Sequence, residues 1–197
     1  MGLILGSASP RRARLLGELG VAFRVAASDV PEVPAPGETA AQFAARAARE
    51  KGAAVAALHA ADWVLAADTV VTVEGAILGK PVDDADARRM LRQLSDRVHE
   101  VLTAVALFAP GAGCVEEGLG RSTVEFRSLS DDEIAAYVAG GEPADKAGAY
   151  AIQGGAAGFV TRVTGSLTNV IGLPTELVAA LLERHGLAAA PAAAHRA

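Results

Sequence analysis

The segment WVLAADTVVTVEGAILGKP, residues 63–81, constrains the fold more than any other part of the sequence. Residues 63–73 are apolar or threonine, with the single exception of Asp68. A nearly continuous apolar run of this kind, rich in β-branched residues, predicts a buried strand. Glu74 and Gly75 then predict a tight turn into a returning strand. The chain therefore contains at least one hairpin, which a purely parallel sheet does not have.

The remaining elements mix strands and helices without a regular βαβ repeat. We predict strands at residues 3–5, 21–25, 98–108, 123–127 and 159–163, and helices at residues 10–19, 40–59, 83–94, 130–140 and 174–185. Capping boxes at Thr39 and Ser130 indicate the starts of two of these helices. The glycine-rich segment 109–122 is expected to be a surface turn, and GSLTNVIGLP, residues 165–174, a turn before the last helix. This order favours an α/β or α+β fold with a mixed sheet.

Length, charge and cysteine content exclude several classes of protein. The chain has 197 residues, a formal net charge of −5 and one cysteine, Cys114. The length suits a single domain, residues 1–186, followed by a flexible Ala-rich tail, residues 187–197. The acidic balance argues against a nucleic-acid surface, and no apolar run approaches the ~20 residues of a membrane-spanning helix. The first apolar run precedes its arginines, unlike a secretory signal, so we expect a cytoplasmic protein without nucleic-acid or membrane partners.

The segment GSASPRRARLL, residues 6–16, combines a predicted helix start with groups that bind anions. Ser9 is a favourable N-cap, and Pro10 fits the first helical position. The free N–H groups of a helix start attract anions, and hydroxyl and guanidinium groups suit phosphate oxygens. The candidate donors are Ser7, Ser9, Arg11 and Arg12. An ordinary helix cap followed by solvated arginines explains the same pattern equally well.

Asp68 places a charge inside an apolar strand. An unpaired buried carboxylate is very costly, so Asp68 must be paired, metal-bound or protonated. It suits a general base or a ligand of Mg²⁺, and a candidate cation, Lys80, follows across the predicted hairpin. The alternative is a strand-end aspartate that accepts backbone N–H bonds.

Lys51 lies on the apolar face of the predicted helix 40–59. Positions 44, 47, 48, 51 and 55 share one face by the 3.6-residue period, and the other four are alanine or valine. A lysine that extends to solvent from the edge of this face explains the position at least as well as a site lysine does. Glu32, in a proline-rich loop, and Gln153, in a loop of small residues, carry no signal alone.

Together these residues provide cations, carboxylates and a helix start. Hydrolysis of a polyphosphate requires such an inventory, because cations offset the negative charge and a carboxylate orients or deprotonates water. The histidines lack the spacing of a zinc site, and the chain has neither a P-loop nor a nucleophile elbow. The residues alone predict a phosphate-handling enzyme.

The sequence strongly resembles the Maf family of nucleoside triphosphate pyrophosphatases. The resemblance runs from residue 3 to about residue 182, in the motifs SASPRRARLL, AREKG, AADTVV, LGKP, HEVLTAV, EPADKAGAYAIQG and GSLTNVIGLP. It implies an α/β fold with a mixed twisted sheet, flanking helices and two lobes around a deep cleft, related to that of inosine triphosphate pyrophosphatases. It also implies hydrolysis of a nucleoside triphosphate to the monophosphate and pyrophosphate with a divalent metal cation, Mg²⁺ or Mn²⁺.

The resemblance further implies roles for single residues. Asp68 corresponds to the family's base and, together with Glu32, to its metal ligands. The positions implied to bind or activate the phosphates are Ser7, Ser9, Arg12, Lys51 and Lys80. The positions that set the base are Arg11, Thr69 and Gln153, and they match the branch that acts on dTTP and UTP. The 7-methyl-GTP branch has tryptophan, glutamine and glutamate there, so we expect activity on pyrimidine triphosphates, including modified ones such as 5-methyl-UTP.

The family is also associated with arrest of septum formation. The alternative function is therefore a nucleotide-binding regulator of cell division without turnover, and the resemblance also allows a homodimer. One local departure concerns Ser95-Asp96, where the family often has Ser-Gly. We expect a turn at Asp96 in which aspartate replaces glycine.

Overall fold

The computed structural model describes residues 1–187, and within that range there are seven strands and six α-helices. In chain order they are β1 (Leu3–Leu5), α1 (Pro10–Glu18), β2 (Phe23–Val25), α2 (Ala40–Leu58), β3 (Trp63–Val73), β4 (Ala76–Leu78), α3 (Asp84–Leu94), β5 (Val98–Ala109), β6 (Gly113–Phe126), α4 (Asp131–Ala139), β7 (Val160–Gly165), α5 (Leu167–Ile171) and α6 (Thr175–Arg184). Three short 3₁₀ helices lie between α4 and β7: Glu142–Asp145, Ala147–Ala149 and Gly155–Phe159. Residues 188–197, most of the predicted tail, lie outside the described residues, whereas Leu187 packs against the apolar cluster beneath α6.

All seven strands belong to one mixed sheet. Its order is β2-β1-β3-β5-β6-β7, and β4 pairs with the far end of β3. β1 runs parallel to β2 and β3, whereas the other neighbours are antiparallel. The predicted mixed α/β sheet with flanking helices is confirmed.

Local capping signals set the helix starts. Ser9 caps α1, and its Oγ accepts a hydrogen bond from the Arg12 amide at 3.4 Å. Thr39 and Ser130 complete the capping boxes that begin α2 and α4. Among residues 1–187, no helix combines the length and the apolar character needed to cross a membrane.

Apolar side chains form clusters on both faces of the sheet. Because side chains alternate along a strand, Leu65 and Ala67 of β3 pack with α1 and α6 on one face, while Val64 and Val70 pack with α2 on the other. Farther along the first face, Val71 joins a third cluster built around α3 and α4. Residues of all three clusters line one cavity at the side of the sheet.

The glycine-rich segment 109–122 is not the long surface turn predicted from its composition. Only residues 110–112 turn, and β6 runs for 14 residues from Gly113. A Cβ on Gly120 would lie 2.4 Å from Asn169 Oδ1, and one on Gly118 would lie 2.9 Å from Leu177 Cδ2. These two glycines allow α5 and α6 to pack closely on the strand. The prediction was wrong because glycine also occurs where another element approaches the backbone.

The segment 165–174 contains a short helix, α5, and not only the predicted turn. Ser166 caps this helix by accepting the Asn169 amide at 3.3 Å. Asn169 is fully buried, and its Nδ2 donates to the Val101 carbonyl at 2.9 Å and to Ser122 Oγ at 3.0 Å. A helix of five residues is too short for its hydrophobic period to be recognised in sequence.

Candidate active site

Part of β3 has no partner strand on one side, and the cavity lies next to this unpaired stretch. β1 pairs with β3 only as far as Leu65, and β4 pairs with it only from Val71 onward. Within the described chain, residues 66–70 thus have a partner strand on the β5 side alone. A cavity of about 770 Å³ lies here. All ten predicted site residues line it: Ser7, Ser9, Arg11, Arg12, Glu32, Lys51, Asp68, Thr69, Lys80 and Gln153.

Ser7 and Ser9 shape the loop between β1 and α1. The buried Ser7 hydroxyl accepts the Ser9 amide at 3.2 Å and the Arg12 guanidinium at 3.2 Å. Ser9 Oγ in turn accepts the Arg12 amide. The two serines therefore hold the start of α1 and the side chain of Arg12 together at the cavity wall.

Arg12 is fixed by protein contacts and is not a solvated arginine. Besides its bond to Ser7, its Nε donates to the Gly172 carbonyl at 2.8 Å and a terminal nitrogen donates to Thr69 Oγ1 at 3.0 Å. Burial lowers the pKa of Arg12, while the charge of Asp68 opposes this shift, and an arginine keeps its charge in proteins. These contacts use three of the five guanidinium N–H groups, which leaves two for phosphate oxygens.

Lys51 and Asp68 form a buried ion pair. Lys51 Nζ lies 2.5 Å from Asp68 Oδ1, and the two residues are 7% and 3% exposed. Lys51 therefore does not extend to solvent, and Asp68 lies in the middle of β3 rather than at its end. Asp68 faces α2 because it shares the strand face of Val70. The packing of α2 on this face brings the lysine to the carboxylate.

Glu32 connects this ion pair to Lys80. Glu32 Oε1 lies 2.7 Å from Lys51 Nζ and 3.2 Å from Lys80 Nζ. Burial would raise the pKa of Glu32, but hydrogen bonds and charges from the two lysines outweigh it and lower the pKa below its ordinary value. Glu32 is therefore ionised at neutral pH. The charged side chains form a continuous row from buried Asp68 to half-exposed Lys80.

The two carboxylates also fit a hard divalent cation. Asp68 and Glu32 each place an oxygen against the same ammonium group, so their oxygens converge on one cation position. Mg²⁺ is usually held by one or two carboxylates together with phosphate oxygens of the substrate. Over residues 1–187, no group of three or more His, Cys, Asp or Glu side chains could hold a metal ion by itself. This pair therefore suits a cation that binds together with a phosphate.

Two of the three residues predicted to set the base, Arg11 and Gln153, lie on another part of the cavity wall. Arg11 Nη1 lies 3.9 Å from Asp145 Oδ2, and Gln153 Oε1 accepts a hydrogen bond from Arg14 at 2.6 Å. Both Arg11 and Gln153 line the cavity, whereas Arg14 does not. Gln153 is thus held from outside the cavity by a helix residue.

Thr69 also lines the cavity, but its hydroxyl is engaged by other side chains. Thr103 Oγ1 donates to the Asn169 carbonyl at 2.9 Å and lies 3.0 Å from Thr69 Oγ1. Because the Thr103 proton is used in that bond, the Thr69 hydroxyl accepts from Arg12 and has Thr103 Oγ1 at 3.0 Å and the Gly172 carbonyl at 3.5 Å as acceptors for its own proton. Thr69 therefore fixes the guanidinium of Arg12.

Lys146 is a site candidate that sequence reasoning left among ordinary loop residues. It lines the cavity with its side chain 14% exposed. Its Nζ donates to the Glu142 carbonyl at 2.8 Å and to Asp145 Oδ1 at 2.5 Å. The available signal was its place in the motif EPADKAGAYAIQG, because the residue type alone is common in loops.

The architecture is that of a mixed α/β sheet with flanking helices, and a solved structure shares this fold. The chain aligns with the structure of a HAM1 protein from Coxiella burnetii at a TM-score of 0.50 and 17% identity, over 93% of this chain and 99% of that chain. At this identity the likeness concerns the fold alone.

The family model described as Maf-like protein matches residues 2–185, and the chain belongs to this family. A relative from Geobacter sulfurreducens, named dTTP/UTP pyrophosphatase, is 53% identical over 184 residues, or 93% of this chain and 96% of the relative. A relative of the same name from Myxococcus xanthus is 51% identical over 186 residues, or 94% of this chain and 93% of the relative. The family resemblance predicted from the motifs is confirmed.

Proposed function

We propose that this chain hydrolyses dTTP and UTP to the nucleoside monophosphate and pyrophosphate. The observation that carries the proposal is the contact of Lys51 with both Asp68 and Glu32, inside a cavity that Arg12 and Lys80 also line. Cations able to bind a polyphosphate thus lie beside a buried carboxylate that can act on water. The names of the two relatives support the choice of substrate and of the bond that is cleaved.

In the proposed reaction, water attacks the α-phosphorus, a new P–O bond forms, and the bond from that phosphorus to the β-phosphate oxygen breaks. Asp68 orients the water and accepts its proton. Arg12, Lys51 and Lys80 bind the β- and γ-phosphates and balance the charge that develops on the leaving pyrophosphate. Lys51 neutralises Asp68 in the absence of nucleotide, so a move of its ammonium group to the phosphates leaves Asp68 able to accept the proton.

We also propose that Asp68 and Glu32 hold Mg²⁺ or Mn²⁺ when nucleotide is bound. The ion would offset negative charge on the phosphate oxygens. The convergence of the two carboxylates on Lys51 supports this assignment.

The choice of base is proposed to depend on Arg11, Thr69 and Gln153, with 5-methyl-UTP and related modified pyrimidine triphosphates as further substrates. Arg11 and Gln153 would contact the base directly. Thr69 would act through the position of Arg12, because its hydroxyl is engaged there. Arginine at position 11 offers no indole surface for stacking a purine, which favours the smaller bases.

Product analysis tests the proposal. The full chain is incubated with dTTP, UTP, 5-methyl-UTP, CTP, GTP and 7-methyl-GTP, with Mg²⁺, with Mn²⁺ and with a chelator, and monophosphate, pyrophosphate and orthophosphate are assayed separately. We expect pyrophosphate from dTTP, UTP and 5-methyl-UTP, abolished by the chelator. Release of orthophosphate would contradict attack at the α-phosphorus. Tight binding of dTTP without any product would instead favour the nucleotide-binding regulator.

The cytoplasmic location and the homodimer stay predictions from the sequence. Sedimentation velocity of the full chain, with and without dTTP, tests the second of them.

A further inference from the structure

Gln153 lies on a turn whose backbone is held firmly. The Ala151 amide donates to Tyr137 Oη at 3.0 Å, and the Gly155 amide donates to Glu142 Oε2 at 2.9 Å. Between these two bonds, a Cβ on Gly154 would lie 1.7 Å from Glu142 Oε1. The backbone around Gln153 therefore has little freedom, and the direction of its amide group depends on side-chain contacts.

One such contact comes from Arg14 of α1. Arg14 lies three residues after Arg11 and so on the same side of the helix, one turn beyond the cavity. A terminal nitrogen of Arg14 lies 2.6 Å from Gln153 Oε1, and its Nε lies 3.7 Å from Glu18 Oε1 one turn later. The exposed guanidinium of Arg14 therefore lies between Glu18 and Gln153.

This contact decides which end of the Gln153 amide is available to a ligand. A guanidinium has N–H donors and no acceptor, so only the carbonyl oxygen of glutamine can bind it. The amide NH₂ is left for another partner. Because Gln153 lines the cavity and Arg14 does not, the group offered to a ligand is a hydrogen-bond donor.

We propose that Arg14 is a positioning residue that fixes Gln153 as a donor toward the nucleobase and so selects uracil and thymine over cytosine. This inference rests on the proposed function, in which Gln153 contacts the base. Uracil and thymine carry a carbonyl acceptor at C4, whereas cytosine carries an amino donor there. With cytosine bound, two donors face each other and neither hydrogen bond forms. Discrimination by a hydrogen bond of this kind is large when the wrong base leaves polar groups unpaired.

The test compares UTP with CTP in two variants of Arg14. The two nucleotides share ribose and triphosphate, so a change in phosphate binding affects both equally and cancels in the ratio of their kcat/KM values. Arg14→Lys keeps a donor-only side chain and is expected to preserve the wild-type ratio. Arg14→Glu offers only acceptors, which favours the reversed Gln153 amide, and is expected to lower the ratio by about tenfold or more. An unchanged ratio in Arg14→Glu would overturn the inference.

Repeating the test in the Gln153→Ala variant distinguishes a positioning role of Arg14 from a general effect of its charge on the helix. In Gln153→Ala, the change Arg14→Glu is expected to leave the UTP to CTP ratio as it is in Gln153→Ala alone, because the two residues act as a unit. A further drop in that background would show that Arg14 acts without Gln153 and would contradict the inference.

Binding measurements keep the inference separate from the proposed reaction. Dissociation constants of UTP and CTP are measured by calorimetry with chelator present, for wild type, Arg14→Lys and Arg14→Glu. If wild type releases no pyrophosphate but its preference for UTP falls in Arg14→Glu, the proposed reaction fails and the positioning role stands. If wild type releases pyrophosphate and neither ratio moves, only the positioning role fails.

Discussion

At the scale of single residues, the proposed chemistry depends most on Asp68. Asp68→Asn keeps the shape of the side chain but removes the group that accepts the proton from water. We expect turnover of dTTP to fall by ~10²-fold or more. The fold is expected to persist, because Lys51 keeps its contact with Glu32. Pyrophosphate release and urea unfolding measure the two effects separately.

The matched control is Asp131→Asn, the same chemical change on an exposed residue that pairs with Arg92 at the surface. Exposed pairs contribute little, so turnover should stay within about twofold of wild type. Turnover near the wild-type value in Asp68→Asn would leave Asp68 as the structural partner of Lys51.

Asp96 tests the effect of one backbone angle. The φ angle of Asp96 is +56°, in the left-handed region that favours glycine. The family often has glycine at this position, which agrees with this angle. Because glycine has no Cβ to strain here, Asp96→Gly should raise the free energy of unfolding by about 0.5–1 kcal/mol. Asp96→Ala keeps the Cβ and should not stabilise the chain. Equal urea midpoints for the two variants would contradict this account.

Sequence reasoning identified single residues where they broke a pattern. Asp68 stood out in an apolar strand, and Lys51 stood out on an apolar helix face. The sequence left the partner of Lys51 open, because a lysine near a buried face can also reach solvent. Lys146 broke no pattern, since a charge in a polar loop is ordinary, and it was missed. Departures from burial rules are therefore visible in single residues, whereas loop residues such as Glu32 and Gln153 were predicted only from the family motifs.

At the scale of elements, close packing of β6 against α5 depends on Gly120. A Cβ there would lie 2.4 Å from Asn169 Oδ1 and 3.0 Å from Pro174 Cβ. Asn169 is fully buried and held by two hydrogen bonds, so it has little room to move. Gly120→Ala should therefore lower the free energy of unfolding by about 1–3 kcal/mol, as measured by urea titration.

Gly17, within α1, provides the opposite case for the same substitution. A Cβ there meets nothing within 4 Å, and alanine favours a helix over glycine by up to about 1 kcal/mol. Gly17→Ala should stabilise the chain while Gly120→Ala destabilises it. Shifts of the same sign would refute the packing role of Gly120.

Helices were predicted well and β6 poorly, for a physical reason. Caps and the 3.6-residue period are local, so Thr39 and Ser130 fixed the starts of α2 and α4. The need for glycine at Gly118 and Gly120 depends on elements that follow some 50 residues later in the chain. The glycine-rich composition of residues 109–122 favoured a turn, but packing against α5 and α6 makes most of this segment a strand.

At the scale of the whole molecule, the candidate site depends on strand lengths as well as on side chains. β1 and β4 have three residues each, and their shortness leaves residues 66–70 of β3 without a partner strand on one side, next to the cavity that residues 68–70 line. The motifs predicted ten site residues, and all ten line one cavity. The motifs did not predict the unpaired stretch of β3, because it arises from where two separate strands end on a third. The contact of Lys51 with Asp68 likewise depends on how α2 packs across the sheet.

The stability of the whole molecule should depend on pH, and the buried His99 is one titrating group that causes this. His99 is 1% exposed, its ring packs edge-on against Phe126 and Tyr150, and its Nε2 lies 2.9 Å from Tyr150 Oη. Within residues 1–187, its Nδ1 has no hydrogen-bond partner. Burial lowers the pKa of His99 to about 4, from 6.5 in the unfolded chain. Between these values the unfolded chain binds a proton at His99 and the folded chain does not.

Stability should therefore fall as the pH falls through this window, because the state that binds more protons gains free energy. The contribution of His99 between pH 6 and pH 5 is about 1 kcal/mol. His99→Gln keeps a polar side chain that does not titrate, so its free energy of unfolding should fall less steeply over the same range. Urea titrations at pH 5, 6 and 7 compare the slopes, and any constant packing loss in the variant cancels in that comparison. Parallel curves for wild type and His99→Gln would mean that His99 is already charged in the folded chain, against its burial among aromatic rings.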